Sequence, residues 1–225
     1  MIILSYIYLF SKYFKNDDKE QKNSNHSKSY KSRERLTAEQ IGEIGERTVK
    51  EKILRELNPN ERMLNNYITY GESSQTSQID HIVIKPAGVF VIETKNYEGK
   101  IYGKRTELKW TQVLAGGKVT NEFYNPVKQN ETHIKNIKKF VGEKTPIYSM
   151  VVFLKGDINS IAWIEEIYTP HRMMMKFQYT ANERKISDEE ILQIYNNLKE
   201  HRLYISDHEH IDNVKSYLND TNKNK

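Results

Sequence analysis

Residues 78–95 read QIDHIVIKPAGVFVIETK. Residues 78–85 and 89–95 read as two strong strands around Pro86-Ala87-Gly88. Proline presets φ and glycine accepts positive φ, so this trio reads as the turn of an antiparallel hairpin. If Ile84 pairs with Val89, the numbers of paired residues have a constant sum, and Asp80 falls opposite Glu93. Their Cβ atoms would then lie about 4.5–5.5 Å apart. A bulge at Gly88 would move that pairing by one. Glu93 and Lys95 are two apart and share a face, because strand side chains alternate.

Two carboxylates held side by side repel, and a divalent cation between them removes the cost. Oxygen donors of this kind suit Mg²⁺ or Mn²⁺. A lysine on the same face can orient a water or stabilise phosphate charge. Together these groups fit metal-assisted hydrolysis of a phosphodiester. By itself, Glu93-Thr94-Lys95 also describes an ordinary strand end with solvated charges.

Upstream, Thr37-Ala38-Glu39-Gln40 has the spacing of a capping box. Ile41, Ile44, Val49, Ile53, Leu54 and Leu57 follow at helical spacing until Asn58-Pro59-Asn60. Gly42 and Gly45 are costly inside a helix, about 1 kcal/mol each against Ala. They leave room for another backbone to come close. Residues 63–70 read as a strand and 71–77 as a polar loop.

Downstream, short strands are expected at 100–102 and 109–112. Asn125-Pro126 opens a helix, with Asn as N-cap and Pro in the first turn. The apolar run IYSMVVFL at 147–154 reads as a buried central strand. Residues 161–168 and 173–179 read as edge strands. Helices are expected from Ser187 to about Leu203 and within 206–219. The alternation of helices and strands defines an α/β protein.

The chain has 225 residues, of which 37% are hydrophobic and 29% charged, enough for a sizeable core. Its formal charge of +5 favours polyanionic partners. It has no cysteine, which excludes disulfides, thiolate nucleophiles and cysteine-bound zinc. The first ten residues, MIILSYIYLF, are nearly all apolar but fall short of the roughly 20 needed to span a bilayer. They also lack a basic start and a cleavage site. Residues 1–14 therefore read as an interfacial membrane anchor or as a segment packed on protein surface. Residues 15–35 read as a polar tether.

Several of these elements occur together in a known order. Gly42-x-x-Gly45-Glu46, Gln78-Ile79-Asp80-His81, Val91-Ile92-Glu93-Thr94-Lys95-Asn96-Tyr97-x-Gly99, Trp110-Thr111-Gln112 and Asn125-Pro126-x-x-Gln129-Asn130-x-x-His133 resemble the nuclease-related (NERD) domain. That family is similar to the PD-(D/E)XK nuclease superfamily. The resemblance implies a restriction-endonuclease-like core, a central mixed sheet flanked by helices. It would occupy residues 36–155, followed by an α/β extension packed on it at 156–225. Asp80 and Glu93 match the metal-binding carboxylates and Lys95 the superfamily lysine. Glu46 matches an acidic residue directed at the site by the first helix, and Gln129 a polar residue from the later one. Ile79 stands where the wider superfamily has proline.

The expected activity is Mg²⁺- or Mn²⁺-dependent hydrolysis of DNA. The alternative is a non-catalytic nucleic-acid-binding or signalling module tethered at the membrane. Glu46, Asp80, Glu93, Lys95 and Gln129 are the expected catalytic set, with the first three at the metal. His133, Lys135 and Lys139 are candidate nucleic-acid contacts. His81 reads as a core histidine more than as support for Asp80, and Trp110 as core more than as a base-stacking platform. Of Glu43 and Glu46, Glu46 is the acidic residue expected at the site. Asp207-His208-Glu209-His210 reads as a solvated turn rather than a metal site. The location expected is the cytoplasm, with attachment to the inner membrane face if 1–14 is an anchor. The oligomeric state is left open, a homodimer included.

Overall fold

The computed structural model describes residues 36–71 and 75–223. The proposed anchor at 1–14 and tether at 15–35 lie outside the described residues. Helix α1 (Ala38–Leu54) carries the expected capping box: Thr37 Oγ1 accepts from Gln40 N–H and the Gln40 side chain accepts from Thr37 N–H. Strands β1 (Arg62–Tyr70), β2 (Thr76–Lys85) and β3 (Gly88–Lys95) form an antiparallel meander. The turn is the one expected, with Ile84 opposite Val89 and Lys85 opposite Gly88. Gly88 has φ 137°, and a Cβ there would collide with Pro146 O. Only glycine lets β3 start this close to the segment that precedes the next central strand.

The chain then leaves the sheet. Strands β4 (Lys100–Tyr102), β5 (Lys109–Leu114) and β6 (Val119–Tyr124) make a small antiparallel sheet of their own. Helix α2 (Pro126–Val141) brings it back, and β7 (Ile147–Phe153) pairs with β3 in parallel. The two-residue strand β8 (Ile167–Tyr168) extends the sheet to the order β1-β2-β3-β7-β8. Three helices follow: α3 (Pro170–Tyr179), α4 (Asp188–Glu200) and α5 (Asp207–Lys223). The core is thus a mixed five-stranded sheet flanked by helices, a restriction-endonuclease-like arrangement.

Each face of the sheet has its own apolar layer. Ile82, Ile84, Val89 and Val91 pack with Ile137 of α2 and with Ile191, Ile194 and Leu198 of α4. Val83, Phe90, Ile92, Met150 and Val152 pack with Val49 and Ile53 of α1 and with Met173 and Phe177 of α3. Each such side chain contributes about 1.5–3 kcal/mol on burial. A third layer joins the small sheet to β7, with Trp110 stacked on Phe153 and its Nε1 donating to Lys104 O.

Two expected strands differ. Residues 173–179 are helical: Thr169 caps α3, Pro170 occupies its first turn, and Met173 and Phe177 share its buried side. The Thr-Pro start and the spacing of four outweigh the β propensity of Phe177 and Tyr179. Within 161–168 only Ile167 and Tyr168 pair as a strand. Asp207 to His210 begin α5 instead of forming a turn, with Ser206 and Glu209 exchanging cap hydrogen bonds. Among the described residues, no helix is long and apolar enough to cross a membrane.

Candidate active site

The ladder between β2 and β3 ends at His81 and Ile92. Beyond it the strands part. β2 continues beside β1 as far as Thr76, while β3 continues beside β7 as far as Lys95. Asp80 and Glu93 are the first pair past the branch, the register expected from the turn. In place of a ladder bond, Asp80 Oδ2 accepts the Thr94 N–H at 2.7 Å.

A local slip in strand phase accompanies the fork. Leu64 and Tyr67 join the same core layer although they are three apart, and so do Ile79 and Ile82 opposite them. Regular alternation would separate them. Between them, Asn66 has φ 47° and the β1–β2 register passes over the Asn66–Asp80 pair. Simple alternation therefore fails at Asp80 itself, in the manner of bulges that re-aim a side chain.

Lys95 is buried, with Nζ 2.6 Å from Glu93 Oε1 and donating to Gln129 Oε1 at 3.2 Å. Glu93 Oε2 faces His133 Nε2 at 3.3 Å. The other ring nitrogen of His133 lies 2.9 Å from Ser77 Oγ. A carboxylate facing Nε2 calls for a proton on that nitrogen. His133 thus spans the fork, tying β2 to β3 from the α2 side.

Two helices are locked over this point. In α1, a Cβ on Gly45 would lie 2.7 Å from Asn96 Cβ, while Asn96 Nδ2 donates to Ile41 O at 2.7 Å. Gly45 therefore permits the close approach that puts half-buried Glu46 within electrostatic reach of Asp80. Gly42 has nothing within 4 Å of a built Cβ, so the room expected from that glycine is not used. Glu43 is exposed.

In α2, Asn125 Oδ1 caps the helix start, accepting from Val127 and Lys128 N–H, and its Nδ2 donates to Lys104, Arg105 and Glu107 carbonyls. Asn130 Nδ2 donates to Val91 O and Ser149 Oγ, both at 2.9 Å, clamping the helix to the sheet. Of the expected residues, Lys95 meets Glu93 and Gln129, His133 faces Glu93, and Glu46 and Glu93 both act electrostatically on Asp80. Lys135 and Lys139 lie further along α2, exposed.

Sequence reasoning missed Ser77, Asn96 and Asn130 as supports. Asn96 and Asn130 stand inside the quoted motifs, but Ser77 gave no signal. His81 is a buried histidine bonded to Asn65 Oδ1. Burial drives it down to about 4, helped by Lys50 and opposed by Glu93 and the Glu46 backbone.

The electrostatics are asymmetric. Burial first, then Glu93 and Glu46, push Asp80 well above the usual carboxylate range, against the pull of Lys95 and the Thr94 N–H. Burial also opposes ionisation of Glu93, but Lys95 and then His133 outweigh it and hold that carboxyl low. One lysine thus balances one carboxylate and leaves the second uncompensated. A divalent cation fits this deficit. Among the described residues, no group of three or more His, Asp or Glu side chains is placed to hold a metal ion. Two carboxylates with waters are, however, the usual protein share of a Mg²⁺ site.

A mixed sheet forked over two carboxylates and a buried lysine, with a helix closing each side, is the architecture of a nuclease-like α/β domain. Residues 41–154 match the family model described as the nuclease-related domain, and the chain belongs to that family. It is similar to an uncharacterized protein of Bacillus anthracis, 45% identical over 113 residues, which are 50% of this chain and 52% of that protein. The chain spans about half the length of that curated relative. No solved structure matches it.

Proposed function

We propose that this protein is a divalent-metal-dependent nuclease that hydrolyses phosphodiester bonds of DNA at the β2–β3 fork. The observation that carries the reading is the convergence of Asp80, Glu93 and Lys95 where the two strands part. Asp80 and Glu93 would hold Mg²⁺ or Mn²⁺, with Glu46 in electrostatic reach. A bound ion supplies Lewis-acid polarisation of the phosphoryl group and a more acidic water.

The chain's own groups do the rest. Lys95 presents a desolvated ammonium whose field is strengthened by burial, suited to charge growing on a phosphoryl oxygen. Gln129 and Glu93 hold that ammonium in place. His133 Nε2 faces the other carboxylate oxygen, Glu93 Oε2, at 3.3 Å. Oxygen donors, a cationic stabiliser and a fixed geometry are the parts required for such a displacement.

The test is conversion of supercoiled plasmid to nicked or linear DNA with Mg²⁺, with Mn²⁺ and with EDTA, beside Glu93→Ala. Metal-dependent cutting lost in the folded variant is the expected result. Equal cutting by Glu93→Ala would refute the assignment of the site. Absence of both cutting and metal binding in the folded wild type would turn the reading to a non-catalytic nucleic-acid-binding module.

A further inference from the structure

Past His133, α2 runs along a second feature that the chemistry at the fork does not use. An open cleft of about 420 Å³ lies between the end of β1 and the outer part of α2. Tyr70 and Gly71 form one wall, and Lys135, Asn136, Lys138, Lys139 and Glu143 form the other. Its volume is within the ordinary range for small-ligand sites, about 300–1,000 Å³.

Three observations give it a chemical character. Tyr70 is 53% exposed, an aromatic ring left at the surface. Asn136 is only 6% exposed, and its Nδ2 has no hydrogen-bond partner among the described residues. A buried amide donor left unpaired costs about 1–3 kcal/mol, and this one lies closed to solvent behind Gly71. Lys138 and Lys139 are exposed on the same helix, and Glu143 is the one acidic side chain lining the cleft among the described residues. Gly71 keeps the floor open, since a Cβ there would meet Asn136 Nδ2 at 3.3 Å.

The cleft adjoins the fork. Asn136 follows His133 by three residues, so the two are neighbours on α2. Tyr70 is paired with Thr76, the residue beside Ser77, which holds His133. A polynucleotide bound at the fork would have this cleft beside it.

We propose that the cleft takes an unpaired nucleotide flanking the bond to be cut. Its base stacks on Tyr70, and Lys138 and Lys139 contact its phosphate. Stacking on an aromatic ring tolerates any base, whereas Glu143 disfavours a second phosphate. The assignment rests on the reading of the fork as a nuclease site, and it adds a substrate class: strands unpaired beside the cut.

The test is binding of a short fluorescent single-stranded oligodeoxynucleotide to the full chain in EDTA, followed by anisotropy over a range of salt. Tyr70→Ala is expected to weaken binding about tenfold, while Tyr70→Phe binds as the wild type does. Lys138→Gln with Lys139→Gln should lower the slope of log affinity against log salt by about 1.4. Both are surface changes, so an unchanged melting temperature shows that the fold is kept. Binding by Tyr70→Ala and by the double lysine variant equal to that of the wild type would overturn the proposal, as would absence of oligonucleotide binding by the wild type. Failure of the cleft is distinct from failure of the fork, because metal-dependent cutting lost in Glu93→Ala would still stand. Cleft-sensitive binding without any cutting would support the nucleotide site and remove the nuclease.

Discussion

Gly45 and Gly42 stand three apart in one helix, yet the structure separates their roles sharply. A Cβ on Gly45 would lie 2.7 Å from Asn96 Cβ, an atom fixed to the backbone just after β3. Ordinary carbon contacts are about 3.5–4.0 Å, so Gly45→Ala must drive α1 from the sheet by about 1 Å. Overpacking of this kind costs about 1–3 kcal/mol. The better helix propensity of alanine returns about 1 kcal/mol, leaving a small net loss of stability. The effect on the site is larger, because Glu46 rides on the same helix turn and acts on Asp80. A misplacement of about 1 Å can cost about 100-fold in rate. Gly42→Ala meets nothing within 4 Å, so it should keep the wild-type rate and stabilise by about 1 kcal/mol. The assay is plasmid cleavage rate with Mn²⁺ beside thermal melting for both variants. Equal rates in the two would refute the argument that Gly45 sets the position of Glu46.

Other expectations follow from the same geometry. Lys85 Nζ is 2.7 Å from Glu61 Oε2 with both side chains buried, so Lys85→Met should cost about 3–5 kcal/mol and lower Tm by about 6–20 °C; a calorimetric shift under about 2 °C would contradict it. Folding raises the Asp80 carboxyl, so the folded protein keeps a proton that the unfolded chain releases. The Asp80 contribution to metal-free stability therefore falls as pH rises above the ordinary carboxylate range. Asp80→Asn should remove that fall, seen as a smaller difference between urea midpoints at low and neutral pH in EDTA; an identical difference in the wild type would count against it. His133→Ala should weaken Mn²⁺ binding about 10–100-fold in calorimetric titration, because it orients Glu93, and an unchanged affinity would make the histidine merely structural.

What could be read from the chain alone rests on short-range constraints. Pro86-Ala87-Gly88 permits one tight turn, which puts Ile84 opposite Val89 and carries Asp80 to Glu93. Thr37 with Gln40, and Asn125 before Pro126, start their helices through bonds to residues two or three away. The site's carboxylates, lysine and glutamine were legible for the same reason and through the resemblance of their motifs. Tertiary structure alone decided where the sheet opens. The parallel pairing of β3 with β7 joins Glu93 to Val151 across the whole of the small sheet and α2, and no local pattern specifies that register. The phase slip at Asn66 likewise depends on two strands acting together. Ser77 acquires its part only because His133 arrives from a helix 56 residues on. A turn or a cap is determined by neighbours, which sequence records directly. A fork, a buried bridge and the field that divides Asp80 from Glu93 arise only when distant segments exclude water from the same small volume.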